Sequence, residues 1–369
     1  MDGMDSWDEV GARIAETRVA AGLSQGDLAK QLDLDRTAVV RIEAGERRVT
    51  ALELFRLAEA LHVPLAHLVT RPLQAVVSRR DALEENADQA SRARYRLDAR
   101  LEEHARRARW LVERGYLVPP PADRIPLRHQ GEPVDPIALA IATRETIGRP
   151  TGPLGPLADT LEDLGLYLTV VDEEAEGASL LLEGYGVAVI SGKAQPGRRR
   201  WTAAHELGHH LMQDEYHSDA GVAAGRDERE QLIDRFVEEF MLPSSDVHEA
   251  WRSLDTPGND VRTVLLDLAA VYRLSWSAAV NRVAHLGLLR PHEVREQKAR
   301  IPQRGDFLAA HGSEPAPDLE EGATGRRWRQ AALSAWTNGA ITAPRAVELL
   351  YGAVPENELP ARDLEDCLP

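Results

Sequence analysis

The sequence has one cysteine among 369 residues, Cys367, close to the end of the chain. One thiol cannot form an intramolecular disulfide, and it cannot supply a cysteine-based zinc cage. Such low cysteine usage is typical of proteins in a reducing compartment, where disulfides do not persist. We therefore expect a cytoplasmic protein that is stabilised by packed cores and binds any metal through histidine and carboxylate groups.

Long apolar runs are also missing. No stretch approaches the roughly 20 apolar residues that a membrane-spanning helix needs, and the first ten residues, MDGMDSWDEV, lack the apolar segment of a secretory signal. We expect no membrane contact. The net charge of −16 argues against a protein that coats nucleic acid nonspecifically, but it does not exclude a local DNA-reading module.

The length predicts two or three domains, and a hydrophobic content of 43% is sufficient for packed cores. Most of the chain has helical periodicity, while GLYLTVVD, ASLLLEG and YGVAVISG are short apolar runs that predict three strands. The predicted fold class is therefore mostly α with a small β-sheet (α+β). Its predicted order is a five-helix domain at 8–70, a long helical connector at 71–118, a proline-rich linker at 119–134, a strand-containing domain at 135–295, a second linker at 313–325 and a helical C-terminal region at 326–360.

The stretch RRRWTAAHELGHHLM, at 198–212, contains the pattern H-E-x-x-H. His205 and His209 lie four residues apart, so on a helix both imidazoles project from one face and can hold one Zn²⁺. Glu206 then lies beside the metal, where it can take a proton from a water molecule. The alternative is a core-facing helix whose histidines bind nothing.

A catalytic zinc site needs a third protein ligand and an open position. The predicted helix at 228–241, EREQLIDRFVEEFM, places Glu230 and Asp234 one turn apart on the same face. We predict that Glu230 reaches the metal and that Asp234 orients a ligating histidine. Other acids and a histidine nearby can compete for the third position: Asp214, His217, Glu228 and Glu238.

The developing negative charge of a tetrahedral transition state needs a hydrogen-bond donor beside the metal. Tyr216 and His217 are near the motif in the sequence and are our candidates for this role, against the alternative that both are ordinary loop residues.

The segment RRRWTAAHELGHHLM followed by EREQLIDRFVEEFMLP resembles the ImmA/IrrE metallopeptidases over roughly residues 135–290. The second element departs from the family pattern at Ile233 and Val237, but it keeps both acids. The resemblance implies a zincin-like fold, zinc as the cofactor, zinc binding by His205, His209 and Glu230, and Glu206 as the catalytic base.

Residues 13–63 contain a second pattern. AGLSQGDLAKQL and DRTAVVRIE predict two helices joined by a tight turn, which is the helix-turn-helix arrangement. Its second helix would enter the major groove. The predicted base contacts are Arg36, Thr37 and Arg41, and the predicted phosphate contacts are Gln25, Arg47 and Arg48.

The elements GLSQGDLA, VVRIEAGERRVT and LFRLAEALHV resemble the XRE (Cro/CI-type) DNA-binding domain. That resemblance implies double-stranded operator DNA as a partner. Residues 1–70 nevertheless carry 8 Lys plus Arg against 12 Asp plus Glu, and a net negative charge opposes binding through phosphates. A protein-interaction role is therefore the alternative for this domain.

Together the two resemblances imply a DNA-binding transcriptional regulator whose zinc-dependent endopeptidase cleaves a repressor-type protein in a stress or mobile-element response. Cro/CI-type modules commonly pair on two-fold sites, and the long helix predicted at 73–114 offers an apolar stripe for a homodimer. Two alternatives stay open: a transcription factor whose metal site is a sensor or an inactive relic, and an interaction scaffold that binds neither metal nor DNA.

Overall fold

The computed structural model describes residues 3–71, 89–126, 135–213, 223–255 and 260–362. Within these ranges the chain forms seventeen α-helices and three strands. The fold is mostly α with a small mixed sheet, which confirms the predicted class. Part of the predicted connector, residues 72–88, and most of the predicted proline-rich linker, residues 127–134, lie outside the described residues.

Five short helices form the N-terminal domain: α1 (Trp7–Ala20), α2 (Gln25–Leu32), α3 (Arg36–Glu43), α4 (Ala51–Ala60) and α5 (Leu65–Val69). Side-chain caps fix where they begin. Ser24 and Asp27 form a capping box at the start of α2, and the side chain of Asp35 accepts a hydrogen bond from the backbone at the start of α3. Between these two helices Asp33 adopts a left-handed conformation with φ of 56°, which gives the tight turn that the sequence predicted.

The sheet contains β1 (Leu166–Val171), β2 (Gly177–Leu182) and β3 (Tyr185–Ser191) in the order β1-β3-β2. β3 is parallel to β1 and antiparallel to β2. Because successive side chains point to opposite faces, each strand contributes to two cores. Almost every strand residue is buried, which explains why the strands appear in the sequence as continuous apolar runs.

The first face of the sheet packs against the helices that build the candidate site. They are α7 (Pro136–Thr146), α8 (Leu157–Asp163), α9 (Pro196–Met212) and α10 (Ala223–Met241), followed by α11 (Ser244–Arg252), α12 (Val261–Tyr272) and α13 (Trp276–His285). Two further helices, α14 (Pro291–Ala299) and α15 (Arg304–His311), complete this side. The helix that contains the H-E-x-x-H motif is thereby fixed against both the sheet and α10.

The opposite face of the sheet is covered by the connector helix α6 (Gln89–Glu113) and the C-terminal helices α16 (Arg326–Thr337) and α17 (Ala343–Leu349). Trp328 of α16 is fully buried there. In the described part of the apolar stripe that suggested a homodimer, Leu97, Leu101 and Leu111 are buried against this face of the chain's own sheet and are all 0% exposed. These side chains are therefore not available to a second copy.

Residues 313–325 were predicted from their composition to be a linker, but the second part of this segment, residues 318–325, packs against the sheet domain. Leu319 is buried in the core of the first face, and the backbone N–H of Gly322 donates to the carbonyl of Val170 in β1. Asp318 also forms an ion pair with the buried Arg200. The linker prediction was wrong for residues 318–325, because a high content of proline, glycine and acids indicates poor helix formation and does not exclude tertiary contacts.

No single helix in the described part of the chain has the length and apolar character to span a membrane; α12 and α13 meet that criterion only as a pair bent by 116°.

Candidate metal centre and helix-turn-helix surface

The two motif histidines project from the same face of α9. Nε2 of His205 and Nε2 of His209 are 3.2 Å apart, as the four-residue spacing predicts for neighbouring turns. His209 is buried and His205 is partly exposed. The two imidazoles therefore face one point at the edge of a cavity.

Helix α10 brings its acids to this point because it packs very closely against α9. A Cβ at Gly208 would lie only 2.9 Å from Cγ2 of Ile233, so only glycine allows this approach. Oε2 of Glu230 is consequently 3.2 Å from Nε2 of His205, and Oδ1 of Asp234 is 3.7 Å from Nδ1 on the other side of that ring.

This donor set fits a metal ion. One ligand atom from each of His205, His209 and Glu230 lies within 4.8 Å of the others. Imidazole nitrogens and carboxylate oxygens are ligand types that zinc accepts, and a set of three protein ligands would leave a fourth position for water or substrate. In the described part of the chain this is the one cluster of three such residues with that geometry.

The site favours positive charge at the position of the cluster. Burial lowers the pKa of His205, but the neighbouring carboxylates of Asp234 and Glu230 outweigh burial and raise its pKa to about 10. In its protonated form the His205 imidazole supplies this positive charge. The same carboxylates would stabilise a divalent cation in its stead.

The third histidine of the motif helix, His210, faces away from the cluster. It is buried against the sheet, where its Nε2 lies 3.2 Å from the carbonyl oxygen of Leu164. Burial lowers its pKa to about 4. His210 is therefore a neutral core residue.

Glu206 is buried between α9 and β2 and lines the same cavity as His205. The hydroxyl of Ser179, in β2, donates a 2.5 Å hydrogen bond to Oε2 of Glu206. A Cβ at Gly177 would lie 3.1 Å from Oε1 of Glu206 and 2.5 Å from Cγ2 of Thr202. Because glycine is needed for this close approach of β2, the strand holds the carboxylate in one orientation.

The cluster lies in a groove of about 790 Å³, within the roughly 300–1,000 Å³ range of ligand-binding clefts. One wall combines the start of β2 with Arg94 of the connector helix and Arg198. The other wall is formed by α10 and by α13, which contributes Ser277, Asn281 and His285.

The competing ligands are not part of the cluster where the structure describes them. Glu238 is hydrogen-bonded to Nδ1 of His285 at 2.6 Å and lies 3.7 Å from Arg282. Glu228 is exposed on α10. Asp214, and the candidate transition-state donors Tyr216 and His217, lie outside the described residues.

The predicted DNA-binding residues fall into two groups in the structure. Arg36, Thr37, Arg41 and Arg48 are exposed on α3 and the loop that follows it. Gln25 instead donates a 2.8 Å hydrogen bond to Glu43, and Arg47 donates one of 2.7 Å to Glu53. The structure therefore places the first group where a ligand can reach it, while the second group is bonded within the domain.

A buried polar network fastens the N-terminal domain to α6. Arg13 of α1 donates to Oε2 of Glu102 at 3.0 Å, and Nδ1 of His67 lies 3.0 Å from the same oxygen. Tyr95 completes the network, with its hydroxyl 3.0 Å from Nε2 of His67 and 3.2 Å from Thr17. Removal of one member of a buried charged pair typically costs about 3–5 kcal/mol, so this contact resists separation.

Two family models match the chain, and together they define the class of protein. Residues 14–68 match the model described as helix-turn-helix, and residues 168–284 match the model described as the IrrE N-terminal-like domain. These matches confirm the predicted fusion of an XRE-type helix-turn-helix domain with an ImmA/IrrE-type domain. The chain thus combines a domain typical of DNA-binding regulators with a metallopeptidase-like domain. No curated protein matches the chain.

Three residues of the site were not predicted from the sequence: Ser179, which bonds to Glu206, and the groove residues Arg94 and His285. Ser179 is a small polar residue within the run ASLLLEG, and a polar residue inside an apolar strand is a weak signal of a buried hydrogen bond. Arg94 has no comparable signal, because it is one of many arginines on α6. His285 reaches the groove only through the packing of α13.

Proposed function

We propose that this protein is a DNA-binding transcriptional regulator with a zinc-dependent endopeptidase domain, and that the domain cleaves a repressor-type protein. The observation that carries the proposal is the convergence of His205, His209 and Glu230 within 4.8 Å. Glu206 lies beside them in a groove large enough for a peptide segment. The stress or mobile-element response is the setting that the family resemblance supports.

The residues of the site divide the work of peptide hydrolysis. When bound, zinc supplies a Lewis acid that polarises the scissile carbonyl and makes water more acidic. Glu206 is the base that takes the proton of the attacking water and passes it to the leaving amine. Ser179 holds Glu206 in place, and Asp234 orients the ring of His205 from its Nδ1 side.

The helix-turn-helix domain is the proposed DNA reader, with double-stranded operator DNA as its partner. The exposed residues Arg36, Thr37 and Arg41 on α3 are the proposed base contacts. Pairing of two copies on a two-fold site would use surfaces of this domain and not the buried stripe of α6. The hydrogen bonds around Glu102 would then keep the peptidase domain attached to the domain that binds DNA.

Metal content is the first test of the site. We expect near-stoichiometric zinc in the purified full chain by elemental mass spectrometry, and a loss of at least half of it in Glu230→Ala because three ligands become two. Glu228→Ala, which removes an exposed acid from the same helix, is the matched control and should keep its zinc. Absence of zinc from the wild-type chain after loading and desalting would overturn the proposal.

Turnover can be measured before the natural substrate is identified. The zinc-loaded chain and its Glu206→Gln variant are each incubated with a proteome-derived peptide library, and new amino termini are identified by mass spectrometry. We expect internal cleavages by the wild type that fall at least 100-fold in the variant while its zinc content is unchanged. Equal cleavage patterns would show that the site does not perform the hydrolysis.

The second candidate is a transcription factor whose metal site is a sensor. The observation that favours it is the packing of α6, which contacts the sheet of the metallopeptidase-like domain and the helix-turn-helix domain at once. This candidate predicts zinc-dependent DNA affinity that is unchanged in Glu206→Gln, with no cleavage of the library by either protein.

A further inference from the structure

One wall of the groove is built by the connector helix, which lies outside both segments that match a family model. Arg94, on α6, donates a 3.2 Å hydrogen bond from Nη1 to the carbonyl oxygen of Gly177 and lines the groove. Gly177 in turn packs against Glu206. Gly177 therefore lies between the guanidinium group of Arg94 and the proposed catalytic base, Glu206.

The carbonyl that Arg94 contacts points away from the sheet. In the antiparallel pair of β2 and β3, the carbonyl of Glu176 accepts a hydrogen bond from the N–H of Ser191. Along such a strand, residues whose N–H and C=O groups point toward the partner strand alternate with residues whose groups point away from it. The carbonyl of Gly177, the next residue, therefore faces the outer edge of β2. Among the described strands β2 is an edge strand, and Arg94 lies at the end of this edge that borders the groove.

Arg94 is also held in place and retains donors for a ligand. Oδ1 of Asp98, one turn further along α6, lies 3.6 Å from its Nε, and the side chain remains 44% exposed. A guanidinium has five N–H donors in a fixed fork, and the bond to Gly177 uses one of them. A second arginine on this wall of the groove, Arg198, is paired with Glu176 at 2.5 Å.

We propose that Arg94 is a substrate-positioning residue, whose guanidinium binds an oxygen acceptor of the peptide in the groove. That acceptor is either a main-chain carbonyl or a side-chain carboxylate, because a guanidinium binds both. The inference rests on the proposed peptidase function, since it needs a peptide in this groove. It makes the groove incomplete without the connector helix.

Peptide binding tests this role without turnover. The zinc-loaded full chain with Glu206→Gln, which the proposed function makes inactive, selects binders from a phage-displayed random peptide library. The dissociation constants of the selected peptides are then measured for Glu206→Gln alone and combined with Arg94→Ala, Arg94→Lys or Arg100→Ala. Arg100 is the matched control, an arginine of the same helix that is paired with Glu173 and does not line the groove.

We expect Arg94→Ala to weaken peptide binding about tenfold or more, as loss of a hydrogen bond to a charged group does, with zinc content unchanged. Arg94→Lys should recover part of the loss, and Arg100→Ala should have no effect. A loss confined to peptides with Asp or Glu at one position identifies a carboxylate acceptor, and a uniform loss identifies a main-chain carbonyl.

Two outcomes would overturn the inference, and they are distinguishable from each other. Equal affinities for Arg94→Ala and its parent would show that Arg94 does not contact the peptide, while the proposed function would stand. If the zinc-loaded chain selects no peptide at all, the groove does not bind peptides. That result would refute both the positioning role of Arg94 and the proposed function on which it rests.

Discussion

Ser179 donates a 2.5 Å hydrogen bond to Oε2 of Glu206, from a strand to the helix of the H-E-x-x-H motif. The two residues are 27 positions apart in the sequence, and both are buried. A hydrogen bond to a carboxylate is shorter and stronger than one between neutral groups. The strand therefore fixes the direction in which the proposed base acts.

Ser179→Ala removes this bond and should lower the rate of peptide cleavage about 10- to 100-fold, as changes around metal sites typically do. Zinc content should stay constant because Ser179 contacts no proposed ligand. The rate is measured on a peptide taken from the library cleavages. Ser191→Ala removes a buried hydroxyl that bonds instead to the carbonyl of Glu173, and it should leave the rate unchanged; equal rates for both variants would exclude the orienting role.

Gly208→Ala should destabilise the protein and weaken metal binding together. The added Cβ would meet Cγ2 of Ile233 at 2.9 Å, so α10 must move away from α9, at a cost of about 1–3 kcal/mol for overpacking. Urea unfolding gives the stability and elemental analysis gives the zinc content. The control is a matched change in another helix, Gly26→Ala, which adds a Cβ whose nearest neighbour is 3.7 Å away and should not destabilise the protein. Full zinc content in Gly208→Ala would contradict the packing argument.

Glu162 is predicted to make folding stability depend on pH. Its carboxylate accepts hydrogen bonds from the backbone N–H groups of Arg327 and Trp328 at the start of α16. Burial outweighs these bonds and raises its pKa to about 7 from its ordinary value of 4.5. The folded state therefore binds more protons than the unfolded state between these values, so this group's contribution to stability falls as pH rises from about 4.5 to 7.

Glu162→Gln should remove that part of the pH dependence. The difference in melting temperature between the variant and the wild type should change across pH 4.5–7 and be constant above pH 8, as measured by differential scanning calorimetry. Two curves that run parallel from pH 4.5 to 8 would show that Glu162 titrates normally.

Arg36→Ala should weaken specific DNA binding and relax the base preference at one operator position. Loss of a bidentate base contact costs about 1–3 kcal/mol, which corresponds to about 5- to 150-fold in affinity. The operator is first selected from random duplexes with the full chain, and affinities are then measured by fluorescence anisotropy at fixed salt. Arg114→Ala removes an exposed arginine beyond the end of α6 and is the control. Unchanged affinity and base preference in Arg36→Ala would remove this residue from the proposed contacts.

The local features of the candidate site could be predicted from the sequence because they depend on spacing within one helix. His209 lies four positions after His205, and Asp234 lies four positions after Glu230, so each pair shares a helix face. Their convergence required the tertiary contact between α9 and α10. The sequence carried one sign of it, the small residue Gly208 between the two histidines.

The contacts of the site that cross between distant elements could not be predicted. Arg94 and Gly177 are 83 positions apart, and nothing local to either residue reports their contact. The strands were recognisable as apolar runs, but their order β1-β3-β2, which puts Gly177 at an edge, depends on pairings that no periodicity reports. For the same reason, the sequence did not predict the hydrogen bonds from Gln25 to Glu43 and from Arg47 to Glu53.

The connector helix also determines which fragment of this protein can be studied alone. The matched peptidase-like segment begins at residue 168 and ends at 284, yet its sheet is covered on one face by α6 and by Trp328. A fragment cut at the matched limits would expose the apolar side chains of that face to water and would be prone to aggregate. A fragment that keeps this sheet covered must therefore include α6, α16 and α17, and these helices are as much a part of the folded unit as the residues that the family model recognises.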